Sequence, residues 1–315
     1  MANQIDMLKG PLAKKIFLFA LPLAATSTVQ QLFNAADVAI LGHFAGSEAL
    51  AAVGSNTPII NLLINLFIGL SIGANVVIAN YIGQGRSDRI NDAVHTAVLL
   101  SVIGGIIVGI LGIIIAKPML VLMDSPDNVI GLATSYLQIF FAGMPFMMIY
   151  IYSAAILRSK GDTKRPLLIL LGSGVIKVGL NLLFVIVLGL SVRGVAVATI
   201  IANLLNSGAV VYLLIHETGA FKLNLRKLCI KKEHLIRILK IGVPAGVQGM
   251  VFSFSNVCIQ AAVNGFGSEA IAGSAAAVNF EFLCYFILNA FGQTAVTFTS
   301  QNYGAQNKER CRAVF

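Results

Sequence analysis

Tryptophan is absent from the 315 residues, and charge is scarce, with Asp, Glu, Lys and Arg making up 11% of the chain. A soluble chain of this size needs about a quarter of its residues charged to cover its surface, so an ordinary soluble domain is excluded. Acids are scarcer than bases, 13 against 22, which leaves a net charge of +9. Only four cysteines occur: Cys229 and Cys311 in basic stretches, Cys258 and Cys284 in apolar ones. None has metal-ligand spacing, and no disulfide framework is implied. His43, His95, His216 and His234 are scattered, so no metal centre is assigned. Gly83-Gln84-Gly85 lacks the rest of a phosphate-binding loop, and no nucleophile–base constellation is present. We therefore expect neither an enzyme nor a bound cofactor, and any transport would be secondary. No cleavable leader is expected, because the first apolar block is too long and lacks a small-residue cleavage site.

What is present is apolar and blocked. Hydrophobic residues make up 57% of the chain and the mean hydropathy is +0.86. The apolar runs have the length a helix needs to cross about 30 Å of hydrocarbon. Backbone polar groups in lipid must be satisfied within the segment, so these runs read as helices. The alternation of a membrane β-barrel is missing. The pattern predicts an all-α polytopic membrane protein with eight spans, at 16–43, 52–82, 94–116, 130–157, 166–188, 194–216, 236–263 and 273–300. The basic residues fall in alternate connectors: Lys9, Lys14 and Lys15; Arg86 and Arg89; Arg158, Lys160, Lys164 and Arg165; a run from Lys222 to Lys240; and Lys308, Arg310 and Arg312. Of the remaining three, Lys117 and Arg193 lie in the opposite loops and Lys177 lies inside a span. By the positive-inside rule the N-terminus and the basic connectors are expected to be cytoplasmic. The positive charge is then accounted for by orientation and anionic headgroups, and no nucleic-acid partner is expected.

The chain also repeats itself. Pro22 recurs as Pro244, Asn34 as Asn256, Gly46-Ser47-Glu48-Ala49 as Gly267-Ser268-Glu269-Ala270, and Asn80-Tyr81-x-x-Gln84 as Asn302-Tyr303-x-x-Gln306. A repeat of six spans gives both copies the same orientation, with a pseudo-axis along the membrane normal. The expected organisation is a six-helix lobe at 1–216, a basic cytoplasmic connector at 217–235 and the first two helices of an incomplete second lobe at 236–315. Two complete copies would need about 440 residues, so a fragment or truncated reading frame is expected, with a natural eight-span protein as the alternative.

Charges within spans are costly and mark functional candidates. Asp37 stands in the outer half of span 1, and Gln30, Asn34 and Asp37 form a polar stripe on an apolar helix. A carboxylate shielded from water favours its neutral form unless a cation pairs with it. That is the property an H+- or Na+-coupled carrier needs; the other reading is an interface acid or a structural partner. Lys177 lies near the middle of span 5, one turn before Asn181. It either pairs with Asp37 or acts as a built-in cation. Glu281 in span 8 faces a substrate cavity or the outer interface, and Gln30, Asn256 and Gln260 are further cavity candidates. Pro22 removes a backbone hydrogen bond from span 1 and can act as a hinge or as a static bend.

Several stretches resemble the multidrug and toxic compound extrusion (MATE) family, on the bacterial side nearer DinF than NorM. They are Lys9-Gly10-x-x-x-Lys14-Lys15, Leu21-Pro22, Gln30-Gln31-Leu32-Phe33-Asn34-x-x-Asp37 and Gly42-x-Phe44-x-Gly46-x-x-Ala49-Leu50-Ala51-Ala52-Val53-Gly54. Val192-Arg193-Gly194-Val195-Ala196-x-Ala198-Thr199, Asn289-Ala290-Phe291-Gly292-Gln293 and Gln301-Asn302-x-Gly304-Ala305 add to the likeness. The resemblance implies two six-helix lobes, a central cavity and alternating access in a bacterial plasma membrane. It further implies a monomer that exports small organic, often cationic, compounds against H+ or Na+. Asp37 matches the family's first-helix acid, with Na+ as a possible ligand there. Where relatives often carry Asn-x-x-x-Asp, this chain has Lys177-Val-Gly-Leu-Asn181, so the second acid is missing. A lipid-linked precursor flippase and a polytopic protein without transport are the alternatives.

Overall fold

A computed structural model describes residues 4–123, 126–264 and 268–314; side chains are described throughout these except at 260, 261, 264, 268–272, 275, 276, 278–280 and 283. The helices are α1 (Leu12–Phe44), α2 (Ser47–Gly83), α3 (Ser87–Leu122), α4 (Asp127–Ala142), α5 (Met144–Ser159), α6 (Lys164–Leu182), α7 (Ser191–His216), α8 (Lys232–Asn264), α9 (Ser268–Gly304) and α10 (Lys308–Val314). A π-helical turn, Leu183–Val187, extends α6, and two 3-10 turns, Gly219–Phe221 and Leu225–Lys227, lie between α7 and α8. No strand occurs among the described residues.

Among the described residues α1, α2, α3, α6 with its π turn, α7 and α8 are each long and apolar enough to cross a membrane. The expected span 130–157 is not one helix. It is the pair α4 and α5, bent by 48° at Gly143 and counting together as a seventh crossing. Pro145 opens α5 without a donor, which frees a carbonyl of the preceding turn. Gly105 and Gly109 of α3 lie over this break: a Cβ at Gly105 would come within 2.6 Å of Pro145 Cα, and one at Gly109 within 2.9 Å of the Phe141 carbonyl oxygen. The Gly105-x-x-x-Gly109 spacing is therefore a close-packing seat, as such spacings are in bilayers. α9 has 37 residues but is not among the helices whose length and apolar composition together mark a crossing, so seven of the eight expected spans are found among the described residues.

α2 is the central helix. It packs against α3, α4 and α5, and also against α8 and α9. The α2–α8 contact is glycine on glycine. A Cβ on Gly69 or Gly73 would collide with the backbone of Gly246 or of Ile238 and Gly242, and one on Gly242 would stand 2.6 Å from the Leu70 carbonyl oxygen. α2 and α9 meet at the end where the basic connectors lie. There Gly83 abuts the backbone of Gln301 and Ala305, while Gly304 abuts the Asn80 carbonyl. This reciprocity pairs Gly83 with Gly304 and corrects the repeat register by one residue. The Asn-Tyr-x-x-Gln match places Asn80 on Asn302, whereas the backbone turns Gln84 N–H to Asn80 O and Ala305 N–H to Gln301 O are the equivalent bonds. Gly267, and the side chains of Ser268, Glu269 and Ala270 that carried another part of the repeat, lie outside the described residues.

α1 changes partner along its length. Near the basic end it packs on α9, with Phe17 against Phe291 and Phe19 against Phe298 at centroid separations of 5.3 and 5.6 Å. Towards its other end it packs on α6, where a Cβ on Gly174 would run into the Phe33 ring. The N-terminal segment closes the basic end. Met7 is fully buried, and its carbonyl accepts from Asn302 Nδ2 at 3.2 Å and Arg310 Nε at 3.0 Å.

Candidate functional site

Phe33 and Asp37 are one turn apart on α1 and share a face. Gly174, Lys177 and Asn181 follow at i, i+3 and i+7 on α6, again a single face. The missing side chain at Gly174 lets Phe33 sit close to the α6 backbone. One turn further along, Asp37 then reaches both polar residues. Lys177 Nζ lies 2.5 Å from Asp37 Oδ2, and Asn181 Nδ2 donates to Asp37 Oδ1 at 2.6 Å. The three are deeply enclosed, with relative exposures of 7% for Asp37, 8% for Lys177 and 0% for Asn181. Burial of either charge alone would be prohibitive, so mutual pairing is what permits both. Asn181 Oδ1 is buried with no hydrogen-bond partner. Two residues beyond Asn181 the helix widens into its π turn, with Leu188 N–H bonded to Leu183 O at 3.1 Å. Such insertions often occur at functional positions.

Of the candidates read from the sequence, Asp37, Lys177 and Asn181 come together. The others do not. Asn34 is exposed on α1, displaced about 60° around the helix from Asp37. Gln30 shares Asp37's face but is also exposed, because it lies towards the segment where α1 leaves α6 for α9. The expected polar stripe is therefore divided, with one member buried in a pair and two at the surface. Asn256 on α8 and Glu281 on α9 are exposed and belong to no described cluster, and the Gln260 side chain lies outside the described residues. Pro22 is partly buried within α1, and its carbonyl accepts from Thr26 Oγ1 at 2.7 Å. No group of three His, Cys, Asp or Glu side chains converges among the described residues.

Two groups of polar contacts were not singled out from the sequence. Asn75 in α2 donates to the Ala155 carbonyl at 3.0 Å and accepts from Thr297 Oγ1 at 3.0 Å, tying α5 and α9 to the central helix. Gln301 Nε2 donates to the Ser159 carbonyl at 2.6 Å. A lone amide in an apolar span gives no signal beyond interhelical bonding. At the basic surface, Glu217 is paired with Lys160 at 2.5 Å and Arg165 at 2.6 Å, and Arg165 also pairs with Asp162. Burial pushes the Glu217 carboxyl up, but its two cations more than offset this and hold it below the ordinary value of 4.5.

The MatE family model matches residues 22–183 and 244–315. The chain belongs to the MatE family. Among its relatives is the Bacillus subtilis protein named "Probable multidrug resistance protein YoeA", 29% identical over 96% of this chain and 66% of that protein. The Thermotoga maritima protein named "Probable multidrug resistance protein NorM" is 27% identical over 96% of this chain and 65% of its own length. A Shewanella oneidensis protein named "FAD transporter" is 24% identical over 99% of this chain. The chain thus spans about two thirds of the length of the curated relatives it matches. A solved MATE structure described as being in the bent conformation superposes with a TM-score of 0.90 at 25% identity, covering 98% of this chain and 69% of the other. A second, described as the outward-facing conformation of a multidrug resistance MATE family transporter, gives a TM-score of 0.90 over 98% of this chain. The MatE chain is a multi-pass, all-α membrane protein, and its named relatives are transporters rather than enzymes.

Proposed function

We propose that this MatE protein works as a secondary transporter that exports small organic compounds by alternating access, driven by an inward cation gradient through Asp37. The observation that carries the reading is the buried Asp37 carboxylate held by Lys177 and Asn181. A buried carboxylate whose charge is balanced by one movable partner responds to a single added cation. Support for alternating access comes from the contacts across the molecule. The α2–α8 glycines, the Gly83–Gly304 contact, Asn75–Thr297 and the Met7 strap join 4–221 to α8–α10 in the part of the molecule towards the basic end. Asn65 Nδ2 to Ser253 Oγ, 2.8 Å, is the last hydrogen bond between α2 and α8 away from that end among the described residues. In this reading 1–216 and 236–315 are parts of two lobes closed at a cytoplasmic face, the basic connectors lie inside, and the membrane is a bacterial plasma membrane. Organic cations are the expected cargo and the protein works as a monomer. A lipid-phosphate flippase is less well supported, since Lys177, the lysine near the middle of a span, is paired with Asp37.

The test is accumulation of ethidium, norfloxacin and, as an anionic compound, FAD in an efflux-deficient host expressing wild type or Asp37→Asn at matched membrane levels. Wild type should lower accumulation of at least one compound by several fold, and Asp37→Asn should not. Equal accumulation with both would remove Asp37 from the mechanism.

A further inference from the structure

We propose that Lys177 is a tethered cation: its ammonium occupies, on Asp37, the seat that Na+ would need, so the site is selective for protons and an Na+ gradient does not drive it. The inference deepens the reading of Asp37 as the coupling group and rests on it. Three observations on α1 and α6 lead there. Both Asp37 oxygens are already engaged, Oδ2 by Lys177 Nζ at 2.5 Å and Oδ1 by Asn181 Nδ2 at 2.6 Å. The Asn181 carbonyl oxygen is buried and has no partner. The ammonium itself is enclosed, with 10% of its side chain exposed, so it has no route to water that leaves Asp37 behind at no cost.

Hard cations are bound by sets of oxygen ligands. Without Lys177 the cluster would hold such a set: two Asp37 oxygens and, after rotation of its amide, Asn181 Oδ1. With Lys177 in place, an incoming Na+ meets a like charge at contact distance and must expel a group that the helix holds permanently at high effective concentration. A proton is different, because it needs no seat. It forms an O–H bond on Asp37, the carboxylate becomes neutral, and the Lys177 ammonium, which the enclosed site does not hold unpaired, is driven towards water as α6 moves on α1. When the proton leaves to the opposite face, the O–H bond breaks and the pair re-forms. One proton enters and one leaves per cycle, and the change between paired and unpaired Lys177 shifts α6 relative to α1, with the π turn of Leu183–Val187 next to the site.

The experiment is thermal unfolding of the detergent-purified protein in NaCl against choline chloride at equal ionic strength, for wild type, Lys177→Asn and the double variant Asp37→Asn/Lys177→Asn. Wild type should show no Na+-specific shift. Lys177→Asn should be destabilised in choline and gain several degrees in Na+, as binding to the folded state requires. The double variant should show no Na+ response. An Na+-specific rise in wild type, or none in Lys177→Asn, overturns the proposal. If Lys177→Asn cannot be purified, substrate efflux by wild-type proteoliposomes under an Na+ gradient at clamped pH decides. No Na+-driven efflux is expected beside clear pH-driven efflux, and Na+-driven efflux overturns the proposal. The unfolding assay does not depend on any substrate, so failure of the transport reading and failure of the tethered-cation reading give separate results.

Discussion

Asp37 and Lys177 sit 140 residues apart in the chain and within hydrogen-bond distance in the fold, and each would be an uncompensated charge without the other. Removing one member of a buried ion pair costs about 3–5 kcal/mol, whereas replacing both with neutral groups is often close to neutral. Lys177→Met alone should therefore lower the unfolding temperature markedly in detergent. Asp37→Asn combined with Lys177→Met should recover most of the loss, and a double variant as unstable as the single one would show that the pair is not what stabilises α1 on α6. Glu217 makes a pH prediction at the same scale. Its folded pKa is depressed by Lys160 and Arg165, so its contribution to stability is present above the unfolded carboxylate value and is lost as pH falls through the lower folded value. Glu217→Gln should be less stable than wild type near neutral pH, and the gap should close in acid, as read from unfolding temperatures across pH. Both membrane charges were legible in the sequence because they interrupt apolar runs. Their pairing was open, because one-dimensional spacing does not say which helix faces which. Helical periodicity puts Gln30, Asn34 and Asp37 on one stripe, but periodicity is blind to the change of neighbour along α1.

At the level of helices, seven of the eight crossings expected from hydropathy are found among the described residues, while the break inside 130–157 could not be read from it. Gly143 and Pro145 lie in an apolar run with no polar interruption, and the bend of 48° is fixed only when Gly105 and Gly109 of α3 pack over it. The Gly69-x-x-x-Gly73 and Gly242-x-x-x-Gly246 spacings are present in the sequence, but nothing in one dimension says that they meet each other. This clasp gives a sharp prediction. Gly73→Ala places a methyl group into the backbone of α8, so it should destabilise the α2–α8 contact by about 1–3 kcal/mol. Gly172→Ala, where a Cβ meets nothing, should be neutral or slightly stabilising. Unfolding temperatures of the two variants compare them directly, and equal effects would mean that α2 and α8 do not approach as described.

Across the whole molecule, the basic end is joined by backbone-close glycines, the Met7 strap and the Asn75–Thr297 bond, and α1 bridges α9 and α6 along its length. A carrier that alternates must release this end in each cycle. Paired cysteines at Asn65 and Ser253, whose side chains are hydrogen-bonded at 2.8 Å, should form a disulfide in a background lacking the four native cysteines. Oxidation should stop efflux, and reduction should restore it; efflux unaffected by complete cross-linking would mean that α2 and α8 stay together throughout. The repeat was visible in the sequence, though one of its landmarks was a residue out of register, because apolar helices tolerate small shifts that only backbone contacts such as Gly83 with Gly304 resolve. The most direct measurement of the central claim is proton entry into proteoliposomes containing a pH-sensitive dye, recorded when an exported compound is supplied on the side from which it is loaded. The account predicts substrate-dependent proton flux with wild type and none with Asp37→Asn, and substrate-dependent flux of the same size in both would contradict it.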